Sequence, residues 1–200
     1  MAKTKIAVLV SGGGTNLLAL LEAEAAGKIP HGEISLVISN NPNAYALERA
    51  RNFGVPGGVV SKKELGSQEA FEAELQAVLE RNGTDLIILA GFMCILSEYF
   101  TSKWPKRIIN VPPSLIPSFC GAGFYGLRVH QAALDYGVKV TGATVHFVNE
   151  IPDGGEIIAQ QAVCIEEGDP PEILQKRVME QAEWILLPQA AEIVCASMEE

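Results

Sequence analysis

Residues 85–91 read DLIILAG. One acid leads into an unbroken apolar run that a glycine closes, with none of the alternation that marks a strand wet on one face. A run this short fits a strand buried on both faces, as in a parallel sheet covered by helices. KIAVLV (5–10), EISLVIS (33–39) and RIINV (107–111) have the same character, and GGVVS (57–61) is a weaker example. Amphipathic stretches separate them. One helix is expected from about Asn16 to Ala26, stopped by Gly27, and AYALERARNFG forms a second ending at Gly54. A third, SQEAFEAELQAVLERNG, puts Phe71, Leu75, Val78 and Leu79 on one face and ends at Gly83. This alternation predicts an α/β fold: a mostly parallel, doubly wound sheet with helices on both faces. The pattern then changes. VKVTGATVHFVN (138–149) and EIIAQQAVCI (156–165) are joined by a short loop and predict an antiparallel C-terminal strand pair. A last helix starts near Pro170–Pro171 and runs to about Cys195, with an interruption expected at Pro188.

No repeat, linker or low-complexity segment divides the 200 residues, which suit one domain, 1–200. A composition 48% hydrophobic and 20% charged belongs to a folded globule. The net charge of −9 disfavours wrapping a nucleic acid, although a few backbone N–H groups can still bind a small anion. The apolar run before the first glycines is too short for a signal-peptide core, and LIILAGFMCIL (86–96) falls short of a membrane span. Cys94, Cys120, Cys164 and Cys195 are scattered without metal-ligand spacing. The expectation is a reduced, cytoplasmic, metal-free protein, monomer or homodimer, that acts on small molecules.

Several residues carry possible chemistry. SGGGTNL (11–17) lies between the first strand and first helix, where an open α/β sheet binds ligands. It lacks the Gly-Lys-Ser/Thr of a P-loop, and Leu17 stands where a dinucleotide fingerprint needs its third glycine. A monophosphate fits it better; so does a tight turn with no ligand. In RIINVPPSLIP (107–117), Asn110 is followed by prolines that hold Val111 and Pro112 extended. Fixed at a strand tip, the Asn110 amide can donate to a developing oxyanion, or it can cap a turn. Asp153 in EIPDGGE is a solvated turn residue unless the fold brings it opposite Asn110. His31 lies in a polar connection and His130 early in a helix, while His146 shares a strand face with Gly142, Thr144 and Val148. Glu183 is an acid in the otherwise apolar QAEWILLP (181–188).

In order along the chain, SGGGTNL, SNNPNAYALERA (39–50), LAGFMCILS (89–97), INVPPSLIPSF (109–119), GVKVTGATVHFV (137–148), IPDGGEII (151–158) and QAEWILLP closely resemble the phosphoribosylglycinamide formyltransferases of purine synthesis. The resemblance covers Lys5 to about Pro188. It implies a Rossmann-like formyltransferase fold and transfer of a formyl group from 10-formyltetrahydrofolate to the primary amine of the substrate. By the same resemblance Gly14, Thr15 and Asn16 would hold the ribonucleotide phosphate, with Glu183 on the ribose-phosphate side. Met93, Cys94, Ile95 and Leu96 would line the folate pocket, and Gln68 would reach the folate. Asn110 would stabilise the oxyanion, and Asp153 would orient a catalytic histidine. At one position the chain departs from the pattern. The family motif Asn-x-His-Pro-Ser-Leu reads Asn110-Val111-Pro112-Pro113-Ser114-Leu115 here, and Pro112 cannot transfer a proton. General acid–base catalysis contributes roughly 10²–10⁴-fold, so a slow enzyme and a silent folate- or ribonucleotide-binding relative are both compatible with the loss. His146, His130 or a water held by Asp153 are the candidates to carry the proton instead.

Overall fold

β1 (Thr4–Val10) is the axis of the sheet, parallel to β2 (Gly32–Ser39) on one side and to β4 (Leu86–Leu89) on the other. The computed structural model describes residues 2–198. β3 (Gly57–Val59) lies outside β2 and β5 (Ile108–Asn110) outside β4, both parallel. β6 (Val140–Phe147) then runs antiparallel to β5, and β7 (Ile157–Cys164) antiparallel to β6, which completes the order β3-β2-β1-β4-β5-β6-β7.

Why the central strands lack alternation is visible in the packing. Ile6, Val8 and Val10 point into one apolar layer with Leu17 and Leu20 of α1 (Thr15–Ala25) and Leu187 of α8 (Trp184–Ser197). Ala7 and Leu9 point into the other, with Phe71, Leu75 and Leu79 of α4 (Gln68–Asn82). Successive residues of a strand face opposite ways, so a strand covered on both sides must be apolar throughout.

α2 (Tyr45–Asn52) and α6 (Leu127–Tyr136) match the expected helical stretches, and α7 (Pro171–Val178) opens the last one. Two short helices, α3 (Lys62–Leu65) and α5 (Glu98–Thr101), were not expected; each is capped by a serine, Ser61 and Ser97. The last helix also differs from expectation. Pro188 lies inside α8 without ending it, and the irregularity is a π segment, Met179–Glu183, between α7 and α8. A proline crowds the carbonyl four residues back, here Trp184, and the widened turn directly before Trp184 absorbs the misfit.

Candidate active site

The loop after β1 presents its N–H groups. The carbonyl of Gly12 accepts from the Ala46 N–H at 3.1 Å, that of Gly13 from Arg49 Nε at 2.8 Å and that of Gly14 from the Leu18 N–H at 2.9 Å. Among the described residues the N–H groups of Gly12, Gly13, Gly14, Thr15 and Asn16 have no acceptor. With the Gly12 and Gly13 carbonyls turned to α2, the Gly14 carbonyl used inside α1, and amides left over at the helix start, the loop is a concavity for an anion. Gly14 cannot be replaced: its φ is +71°, and a Cβ there would lie 2.6 Å from the Ala46 Cβ. In the first turn of α1, Asn16 Nδ2 donates to Glu183 Oε2 at 2.8 Å. Both side chains are buried, and burial pushes the Glu183 carboxyl up to about 7, a rise that the Asn16 amide partly opposes. The π segment ends at Glu183 and so aims this acid at the first turn of α1.

A second group forms at the tips of β5 and β6. Asn110 pairs in register with His146, and both line a cavity of about 150 Å³ together with Asp153, Cys94, Ile95 and Leu96. The proline loop beyond Asn110 is tied along β6, with the Pro112 carbonyl accepting from the Thr144 N–H at 3.2 Å and Thr144 Oγ1 donating to the Ser114 carbonyl at 2.7 Å. His146 Nδ1 lies 2.8 Å from the Phe147 carbonyl, an oxygen that only accepts, so Nδ1 carries a proton. Nε2 then faces Asp153 Oδ1 at 3.5 Å, an ion-pair contact longer than a hydrogen bond. Nε2 is buried and makes no hydrogen bond among the described residues. The His146 imidazole, with help from the Gly121 N–H that donates to Oδ2 at 2.7 Å, holds the Asp153 carboxyl below the usual carboxylate range against the opposing push of burial. Asp153 sits at φ 56°, and Gly155 follows where a Cβ would lie 1.7 Å from the Phe147 carbonyl oxygen. A strained acid behind an obligatory glycine is a positioned group.

The two groups adjoin because β1, β4 and β5 all end at the same edge of the sheet, on either side of the point where strand order reverses. Ser11 Oγ accepts from the Met93 N–H at 2.8 Å, and Asn40 Nδ2 donates to Cys94 Sγ at 2.9 Å, joining the loops after β1, β2 and β4. Cys94, Ile95 and Leu96 are on the cavity wall, whereas Met93 is 58% exposed. Gln68 stands behind that wall: its Nε2 donates to the Ile95 carbonyl at 3.0 Å and to Glu72 at 2.6 Å, and its Oε1 accepts from Lys62 at 2.5 Å. His130 is buried on α6 with both ring nitrogens unpartnered, and burial pushes it down to about 4. His31 is partly exposed and pairs with Glu192. A larger groove, about 610 Å³, runs between α1 and α8 and opens by Thr15 and Arg49. Ser11, Asn40, Arg49 and Gly121 have no role of their own in the sequence reading, although the first three lie within its quoted motifs. Three of them act through contacts to segments 36 or more residues away in one direction or the other, which no local pattern encodes.

Residues 4–190 match the formyl transferase family. The chain is 44% identical over 194 residues to the trifunctional purine biosynthetic protein adenosine-3 of Gallus gallus, a match that covers 97% of this chain and 19% of that protein. The chain thus spans about a fifth of that relative's length. The phosphoribosylglycinamide formyltransferase of Haemophilus influenzae is 40% identical across 88% of this chain and 81% of its own length. The crystal structure of glycinamide ribonucleotide transformylase 1 from Symbiobacterium toebii superposes with a TM-score of 0.91 at 40% identity, covering 98% of this chain and 89% of that one. Matched along nearly its whole length in sequence and in fold, the chain belongs to the formyl transferase family, and within it to the phosphoribosylglycinamide formyltransferases.

Proposed function

We propose that the chain, acting as one domain, transfers a formyl group from 10-formyltetrahydrofolate to the amine of N1-(5-phospho-D-ribosyl)glycinamide in purine biosynthesis. The observation that carries this reading is the adjacency of an amide-lined loop to a cavity that holds Asn110, His146 and Asp153. The free N–H groups at Gly14, Thr15 and Asn16 take the phosphate, and Glu183 lies on the ribose side. Cys94, Ile95 and Leu96 form the wall for the folate, with Met93 at its rim and Gln68 bracing it through the Ile95 carbonyl.

In the reaction the substrate amine attacks the formyl carbon, and the carbonyl electron pair moves onto oxygen. The Asn110 amide donates to that oxyanion, a contact worth about 2.7–4 kcal/mol when such a donor is removed. Collapse breaks the bond to the folate nitrogen, which gains a proton as the amine loses one. The motif Asn-x-His-Pro-Ser-Leu would place a histidine at position 112 for that transfer, and this chain has Pro112. His146 and Asp153, with Nε2 and Oδ1 3.5 Å apart, are the titratable pair left beside Asn110 to carry part of that transfer from a less direct position. Holding both reactants in place supplies ~7–11 kcal/mol without any proton carrier, so turnover continues at a reduced rate.

The test is formyl transfer by this chain and by its Pro112→His variant. The variant is expected to be faster by roughly two to four decades with little change in substrate affinity. Equal and substantial rates assign the proton wholly to other groups. Tight ligand binding with no turnover by either protein would identify a silent binding relative and overturn the enzyme reading.

A further inference from the structure

The loop 11–14 owes its shape to α2. Two of its carbonyls could turn toward a ligand and repel an anion; instead Gly12 is engaged by the Ala46 N–H and Gly13 by Arg49 Nε. Arg49 makes the shorter of these contacts, 2.8 Å, from the only charged side chain bonded to the loop among the described residues. Its guanidinium stacks on the Tyr45 ring at 5.0 Å from the centroid, and no carboxylate among the described residues pairs with it. A guanidinium held by stacking and one carbonyl, yet free of counter-ions, loses little entropy on serving the loop and keeps its full charge there. In the same turn Asn16 is 8% exposed, and its Oδ1 is buried without a partner.

We propose that Arg49 is the positioning residue for phosphate recognition: by holding the Gly13 carbonyl back against α2, it keeps the loop's N–H groups turned to the phosphate, and its unpaired charge favours the doubly ionised phosphate over a neutral group. The proposal rests on the phosphate reading of the loop given above. It predicts that Arg49 governs discrimination between a ribonucleotide and the corresponding ribonucleoside, and leaves recognition of the sugar and of the folate alone.

Equilibrium binding measured by calorimetry on the full chain tests this without turnover. The ligands are N1-(5-phospho-D-ribosyl)glycinamide and its dephosphorylated ribonucleoside, against the parent protein, Arg49→Met and Arg49→Lys. The expected result for Arg49→Met is a Kd for the ribonucleotide raised about tenfold or more, equivalent to about 1.4 kcal/mol, with the ribonucleoside Kd unchanged. Arg49→Lys, which keeps the charge and a donor, recovers part of the difference. Equal weakening of both ligands would mean that Arg49 serves the fold alone, and an unchanged ribonucleotide Kd would remove it from the site; either result overturns the proposal. A parent protein that binds both ligands equally well instead refutes the phosphate reading itself. Folding of each variant is read independently from binding of a folate analogue, which the proposal expects to be unaltered.

Discussion

Asn110 and His146 stand opposite each other on neighbouring strands, and the chemistry of the site turns on what lies beside them. The oxyanion donor needs only a fixed amide, which the proline loop supplies by holding the backbone beyond it. The proton needs a carrier. His146 has its Nδ1 committed to the Phe147 carbonyl, and its Nε2 faces Asp153 at 3.5 Å, so a proton leaves it toward that acid or a water. If this pair carries part of the transfer, His146→Ala lowers the remaining formyl-transfer rate by up to roughly 10²-fold, the low end of the general acid–base range. The same substitution made together with Pro112→His has a much smaller effect, because the new imidazole takes over. Single-turnover rates of the four proteins check it, and a His146→Ala rate equal to that of the parent would exclude His146.

At the scale of elements, the short connection between β6 and β7 decides where Asp153 sits. The pair is antiparallel as the spacing predicts, yet its register shifts between Val145 and His146, and the chain passes close enough to leave no room for a side chain at residue 155. Gly155→Ala puts a Cβ 1.7 Å from the Phe147 carbonyl oxygen, which also holds His146 Nδ1. Such overpacking costs about 1–3 kcal/mol or more. The urea midpoint is expected to fall accordingly, and transferase activity to fall further than stability alone explains, since the His146–Asp153 contact moves with that carbonyl. Full activity in folded Gly155→Ala protein would show that the geometry of the turn is incidental.

At the scale of the molecule, two buried groups set opposite pH dependences. Glu183 has a folded value of about 7 against an ordinary 4.5, so the folded state holds a proton that the unfolded chain has lost, and stability falls as pH rises through that window. His130 goes the other way: its value drops from 6.5 to about 4, the unfolded chain holds the extra proton, and stability rises with pH until about 6.5. Each is worth on the order of 3 kcal/mol across its window, at about 1.36 kcal/mol per pKa unit. In the parent protein the slopes oppose each other between about 4.5 and 6.5. Glu183→Gln should expose a Tm that climbs with pH in this range, and His130→Leu a Tm that declines. Thermal unfolding at three pH values checks both, and parallel profiles for the two variants would refute the assignment.

Much of this architecture follows from local pattern. Uninterrupted apolar runs such as LIIL declare strands covered on both faces, and glycines such as Gly83 end helices where they are written, because burial and backbone freedom are properties of short stretches. Residue types along the chain also pointed to the glycine loop, Asn110 and Asp153. They did not show that α2 grips the loop through Arg49, that Glu183 is buried against Asn16, that Pro188 leaves α8 intact, or that His146 meets Asp153. Asn16 and Glu183 are 167 positions apart in sequence and 2.8 Å apart in space. Periodicity and turn chemistry determined the layers by themselves; which polar groups face one another depended on how those layers close, and a contact between distant segments exists only once they do.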